Sequence, residues 1–185
     1  MNFAPQKHLA GVGTSHGPTL ATFDNHLYMA WKGMGNDQAM YRSSFDGTHW
    51  APQQQLAGGT SVGPALAAFG NRLYAAWKGM NTDQAIYWSS FDGTRWAPQQ
   101  QLAGGTSVGP ALATFGNHLY MAWKGASNDQ GIHWSSFDGT SWSAPRKVPG
   151  VGASKRPALA VFSNHLYMAW KGISNDQGIY WTVST

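Results

Sequence analysis

Residues 64–105 read PALAAFGNRLYAAWKGMNTDQAIYWSSFDGTRWAPQQQLAGG, and this stretch decides the fold. It divides into four strand-like runs separated by turn signals. Pro64 to Phe69 is short, apolar and Ala-rich. Gly70-Asn71 is a two-residue hairpin signal. Arg72 to Lys78 is apolar on both faces, as expected of a strand covered on both sides. Gly79 to Thr82 is a loop, and Asp83 to Phe91 is a third strand. Asp92-Gly93 predicts a second tight hairpin, since both central residues of a type I′ turn need positive φ. Trp96 to Leu102 supplies a fourth strand, whose Gln99-Gln100-Gln101 suits an outer rim. No part of the stretch sustains helical periodicity.

The same stretch recurs along the chain. Trp31, Trp77, Trp123 and Trp170 each sit in Ala-Trp-Lys-Gly, at spacings of 46, 46 and 47 residues. Pro18, Pro64, Pro110 and Pro157 keep the same phase. The remaining Trp residues fill two more columns: Trp88, Trp134 and Trp181, then Trp50, Trp96 and Trp142. Phe3 continues the last column towards the N-terminus. Because the large residues obey one period, their first task is to pack one repeated core.

Four short antiparallel strands in roughly 40–50 residues make the unit of a propeller blade. The expected fold is therefore all-β: a β-propeller of four four-stranded blades, in a single domain spanning residues 1–185. Phe3 to Leu9 reads as a fourth strand standing before any first strand, while Asp176 to Thr182 reads as a third strand with nothing after it. The N-terminal strand is expected to close the last blade and leave no open edge. The alternative is the same strand exchange between two chains, giving an eight-bladed ring. Monomer and homodimer both stay open.

Composition narrows the function. Hydrophobic residues make up 42% of the chain and charged ones only 11%, against roughly 25% charged in ordinary soluble domains. The net charge is +4, but Lys and Arg are scattered with no basic run, so no nucleic-acid footprint is expected. All eight acidic residues are Asp, and there is no Cys. The seven His show no metal-ligand spacing, and neither metal nor cofactor is expected. No apolar run is long enough to insert in a membrane. The start, Met1-Asn2-Phe3-Ala4-Pro5, does not read as a signal peptide, so a cytoplasmic or leaderless secreted protein is expected.

The most repeated polar signature joins a Lys to an Asp-Gln pair. It occurs as Lys32 with Asp37 and Gln38, Lys78 with Asp83 and Gln84, Lys124 with Asp129 and Gln130, and Lys171 with Asp176 and Gln177. In a propeller this hairpin lies on the face that also carries the connections between blades. Two tasks suit it. One is four equivalent ligand sites, in which Asp, Gln and Lys hydrogen-bond sugar hydroxyls. The other is structural: a Lys–Asp clamp across the loop, with Gln holding the next blade. Trp88, Trp134 and Trp181 follow these pairs and could stack on sugar rings or pack between blades; the first copy has Arg42 there, which implies a partly solvated position. Ser-Ser-Phe-Asp-Gly-Thr-x-Trp, at Ser43 to Trp50, Ser89 to Trp96 and Ser135 to Trp142, resembles the Asp-box hairpin of sialidases, one residue short between Asp and Gly. That resemblance implies a structural role for Asp46, Asp92 and Asp138.

The combined pattern Trp-Lys-Gly…Asp-Gln-(Ala/Gly)-Ile-Tyr-Trp…Phe-Asp-Gly-Thr-x-Trp resembles the short-blade propeller lectins, the tachylectin and tectonin-like group and related bacterial propeller lectins. The resemblance covers all four repeats. It implies monosaccharide binding in repeated pockets and glycans or glycoconjugates as partners. Weak repeated sites would gain from avidity on a glycan-covered surface. The alternative is a protein-binding or structural propeller without a small ligand. A glycosidase is disfavoured, because a unique acid/base pair needs asymmetric carboxylates and every Asp but Asp24 belongs to a repeated motif.

Overall fold

The structure, a computed structural model, describes residues 1–185 and contains fifteen β-strands. Within each repeat, successive strands pair antiparallel in chain order. The first blade is β1 (Thr19–Phe23), β2 (His26–Lys32), β3 (Ala39–Phe45) and β4 (Gln54–Gly59). The second is β5 (Ala65–Phe69), β6 (Arg72–Lys78), β7 (Ala85–Phe91) and β8 (Gln100–Gly105). The third is β9 (Ala111–Phe115), β10 (His118–Lys124), β11 (Gly131–Phe137) and β12 (Arg146–Gly152). The fourth holds β13 (Ala158–Phe162), β14 (His165–Lys171) and β15 (Ile179–Val183). The protein is an all-β, four-bladed propeller, and no helix is long and apolar enough to cross a membrane.

Each inner strand packs on the next: β1 on β5, β5 on β9, β9 on β13. This crowding explains the Ala-rich first strands, since Ala65, Ala67 and Ala111 are buried where a larger side chain would push the strands apart. The core lies between blades rather than within one. Tyr28 and Met40 of the first blade pack with Leu73, Trp77 and Phe91 of the second. Tyr74 and Trp88 pack with Leu119, Met121 and Phe137 of the third. Ala122 and Ile132 pack with Met168 and Trp170 of the fourth. Aromatic side chains fill these wide, flat interfaces efficiently.

The outer strand of one blade lies flat on the Trp of the next. Gly58 has φ 88°, and a Cβ there would stand 3.3 Å from the Trp77 ring. Gly104 repeats the arrangement over Trp123, with φ 99° and 3.4 Å. Only glycine accepts both the backbone conformation and the close approach. The register slips by a bulge at Ala39/Met40 and at Ala85/Ile86, which bends the outer strand onto its neighbour.

Two local expectations change. The Asp92-Gly93 turn is not a two-residue hairpin, because the strands close only at the Phe91–Trp96 bridge. Asp92 Oδ1 accepts from the N–H groups of Thr94 and Arg95, both at 2.8 Å, and this side-chain bonding builds a wider loop. The outer strand then starts at Gln100, not Trp96, since Pro98 has no N–H to give the ladder.

The larger change is at the ends of the chain. Phe3 to Leu9 forms no strand, and the fourth blade stops at three strands. Nothing comparable to the β5–β9 packing joins β13 back to β1. Lys7, Leu9 and Gly13 instead share a cleft with Met29 and Trp31. They stand against the first blade as β4 stands against the second, away from β15.

Candidate functional site

The Lys-Asp-Gln loops are bonded into the scaffold. Each Lys reaches back under its own hairpin. Lys78 Nζ donates to Ser61 Oγ at 2.7 Å, Gly79 O at 3.2 Å and Asn81 O at 3.0 Å. Lys124 makes the same set with Ser107, Gly125 and Ser127, and adds Asp129 O at 3.1 Å. Lys32 bonds Ser15 Oγ and three carbonyls; Lys171 bonds Ser154 Oγ, Ser174 O and Asp176 O. An ammonium has three protons, so these donors are used. Lys32, Lys78 and Lys124 are buried, and burial lowers the pKa of Lys78 and Lys124. The expected clamp exists in altered form: Lys grips backbone carbonyls, not the Asp carboxylate.

The carboxylates have a different task. Asp83 Oδ1 accepts from Ala85 N at 2.9 Å and Oδ2 from the Tyr87 hydroxyl at 3.0 Å. Asp37 and Asp176 repeat this with Tyr41 and Tyr180. In the third blade His133 replaces Tyr and lies 2.8 Å from Asp129. That contact, helped by the Gly131 N–H, lowers the Asp129 pKa to about 2. Three of the four Gln, namely Gln38, Gln84 and Gln130, reach the next blade. Gln38 accepts from Asn81 N at 2.7 Å, Gln84 from Ser127 N and Gln130 from Ser174 N at 3.0 Å. Asp83→Ala is therefore expected to lower Tm by about 2–4 °C, the equivalent of about 1 kcal/mol in a chain of this size. A melting curve checks this.

The hairpin Asp residues are structural as well. Asp46, Asp92 and Asp138 each accept two backbone N–H bonds within their own turn. These bonds hold their carboxyls below the usual range. A carboxylate with a depressed folded-state pKa stabilises the fold above its unfolded pKa, and that contribution is lost as pH falls. For Asp129 the window runs from 3.8 down to about 2, and for Asp46, Asp92 and Asp138 it lies below 3.8. Tm is expected to be flat above about pH 5 and to fall steeply below about pH 4; scanning calorimetry across that range checks it.

The Trp column does not behave uniformly. Trp88 is buried, 5.4 Å from the Phe137 ring and 5.9 Å from Trp142, both on the next blade. Arg42 takes the equivalent place on the first blade and lies 4.9 Å over Phe91. Trp134 is only half-buried, and Trp181 is exposed. The reason lies one blade further on. Phe91 and Phe137 have their counterpart in Ser184, so the fourth blade presents a hydroxyl where the others present a ring.

The space this leaves is a cavity of 530 Å³ between the third and fourth blades. Its walls include Tyr120, Trp134, Arg146, Leu159, Met168 and Thr182, with Ser184 at the place of the missing ring. The Tyr120 and Trp134 rings lie 6.0 Å apart, and the Arg146 guanidinium sits 5.3 Å over Trp134. None of the lining residues is acidic. Of the residues singled out in the sequence, only Trp134 lines this cavity. Two signals in the sequence mark it: Ser184 in a Phe column, and Arg146 where Gln100 stands one repeat earlier.

No family model and no curated protein matches the sequence. Solved structures do match. Aleuria aurantia lectin, as a mutant in complex with Fucα1-6GlcNAc, superposes with a TM-score of 0.65 at 14% identity, over 94% of this chain and 63% of the lectin. The chain shares the fold of propeller lectins. AofleA from Arthrobotrys oligospora gives 0.68 at 9% identity, over 91% of this propeller and 53% of that chain. An exo-β-1,3-galactanase from Phanerochaete chrysosporium, with galactose, gives 0.62 at 11%, over 92% and 47%. The propeller described here thus spans less than two thirds of the length of each of these chains. Both a sugar-binding and a sugar-cleaving protein share its architecture.

Proposed function

We propose that this propeller binds carbohydrate without cleaving it, and that its principal site is the cavity between the third and fourth blades. The observation that carries this is the cavity's lining. Two aromatic rings can cover the apolar face of a sugar, while Thr182, Ser184 and the Arg146 guanidinium can hydrogen-bond its hydroxyls. Its volume falls within the roughly 300–1,000 Å³ common for small-ligand sites. The sugar complexes among similar propellers support a carbohydrate ligand. Glycoside hydrolysis commonly requires two carboxyl groups flanking the bond, and no lining side chain supplies one.

A second reading keeps the repeated loop face as a set of weaker sites. Its support is that Asp37, Asp83, Asp129 and Asp176 are held in fixed orientation by the bonds described above, which preorganises their free lone pairs for sugar hydroxyls. Gln38, Gln84, Gln130 and Gln177 stand beside them.

An array of immobilised glycans identifies the ligand, and calorimetry with the best hit counts the sites. One site per chain supports the cavity. Four equivalent sites per chain would move the function to the loops, and absence of binding across the array would remove the carbohydrate reading altogether.

A further inference from the structure

The two open faces of this chain are the two halves of one repeated junction. Consider first the free edge of β15. Met40, Ile86 and Ile132 occupy equivalent third-strand positions and are fully buried, each covered by an outer strand. Their counterpart Ile179 is 83% exposed. Trp181, the counterpart of the buried Trp88, is 66% exposed. Phe162, the counterpart of Phe69, is 68% exposed, although Phe69 packs 6.2 Å from Phe137 of the next blade. Ile179 lacks the cover that the repeat gives its counterparts everywhere else, and Trp181 and Phe162 are exposed where their counterparts are buried or half-buried.

The matching half is at the other end. Leu9-Ala-Gly-Val-Gly-Thr-Ser15 aligns with Val148-Pro-Gly-Val-Gly-Ala-Ser154, which covers the third blade as β12. In β12, Arg146 lies opposite Trp134, Lys147 opposite His133 and Gly152 opposite Gly131. Carried to β15, that register sets Lys7 opposite Trp181, His8 opposite Tyr180 and Gly13 opposite Gly178. Leu9 then covers Ile179. Lys7 lands over Trp181 as Arg146 lies over Trp134, a cation–aromatic contact.

The polar parts agree. Gln38, Gln84 and Gln130 each accept from a loop N–H of the following blade, at a residue with φ 47–49°. On the first blade the equivalent residue is Gly35, at φ 52°, and the Gln that matches it is Gln177. Thr60 N and Thr106 N donate to Gln38 O and Gln84 O; the equivalent pair is Thr14 N and Gln177 O. The rings agree too, since Phe45 and Trp50, with ring centroids 5.3 Å apart, are the counterparts of the Phe137 and Trp142 that bury Trp88.

We infer that a second copy of this chain docks its N-terminal segment, Phe3 to Gly13, and its first blade onto the fourth blade. The segment becomes the missing outer strand of β15. Such a head-to-tail contact generates a ring when its rotation closes. In this arrangement Phe3 of the second copy takes the place that Trp142 holds beside Trp88, and so narrows the cavity at Trp134. The junction stands independently of what that cavity binds.

Light scattering on the unmodified chain is the first test. The expected species is an assembly of two or more chains, each of 20.0 kDa, and deletion of Met1 to Leu9 reduces it to single chains. The second test uses the absence of native Cys. His8→Cys and Tyr180→Cys are placed on separate chains, mixed by unfolding and refolding together, and oxidised. A disulfide joining the two different variants is expected. A folded monomer at 20.0 kDa would overturn the inference, as would a disulfide that forms only when both Cys share one chain.

Discussion

Trp134→Ala is expected to weaken sugar binding at least about 30-fold, equivalent to about 2 kcal/mol, while Tm changes by only a few degrees. Trp134 forms one wall of the cavity and carries Arg146 on its face. Its removal takes away both the stacking surface and the group that orients the guanidinium. The cost to folding is smaller than at Trp88 because the ring is only half-buried and borders the cavity on one side. Calorimetric titration with the best ligand from the glycan array, run beside a melting curve, measures both. Unchanged affinity would place the sugar elsewhere.

Trp88→Ala, in the same column one blade earlier, is expected to do the reverse. Trp88 is sealed between blades by Tyr74, Phe137 and Trp142. Truncating a buried Trp costs about 3–5 kcal/mol, which for a chain of this length lowers Tm by roughly 10 °C. Binding at the cavity between the third and fourth blades is expected to persist in the molecules that stay folded. Differential scanning calorimetry gives the stability change, and titration below the transition gives the affinity. A variant with wild-type Tm would mean that the interblade core does not hold the propeller together.

The contrast between these two tryptophans shows how far the sequence can be read. The period, the blade and the strand order follow from residues that repeat, because each repeated large side chain meets the same packing environment. The middle strand β6 matches its expected bounds, Arg72 to Lys78, for that reason. The hairpin at Asp92 was harder to read, because the Asp side chain competes with the backbone for the turn N–H groups. The Lys78 and Asp83 pair was legible as a unit but not in detail. Spacing brings the two residues to one loop, yet only the fold shows that the ammonium faces carbonyls while the carboxylate turns to Tyr87.

The site itself was legible only as an exception. Ser184 and Arg146 depart from their columns, and a period-based reading gives such departures little weight. What a departure does depends on the blade it faces. Ser184 leaves a void only because Trp134 stands across the interface. The N-terminal segment illustrates the same limit. Its sequence marks it as an outer strand, but the sheet it completes depends on how the blades curve, and pattern alone does not carry that information.

The central claim is that the cavity beside Trp134 holds a sugar. A crystal structure of the chain with the best glycan-array ligand tests it most directly. The account predicts ligand density between the third and fourth blades, with a sugar face on Trp134 or Tyr120 and hydroxyls within hydrogen-bond distance of Arg146 and Thr182. Density confined to the Asp37, Asp83, Asp129 and Asp176 loops, with the cavity filled only by solvent, would contradict it.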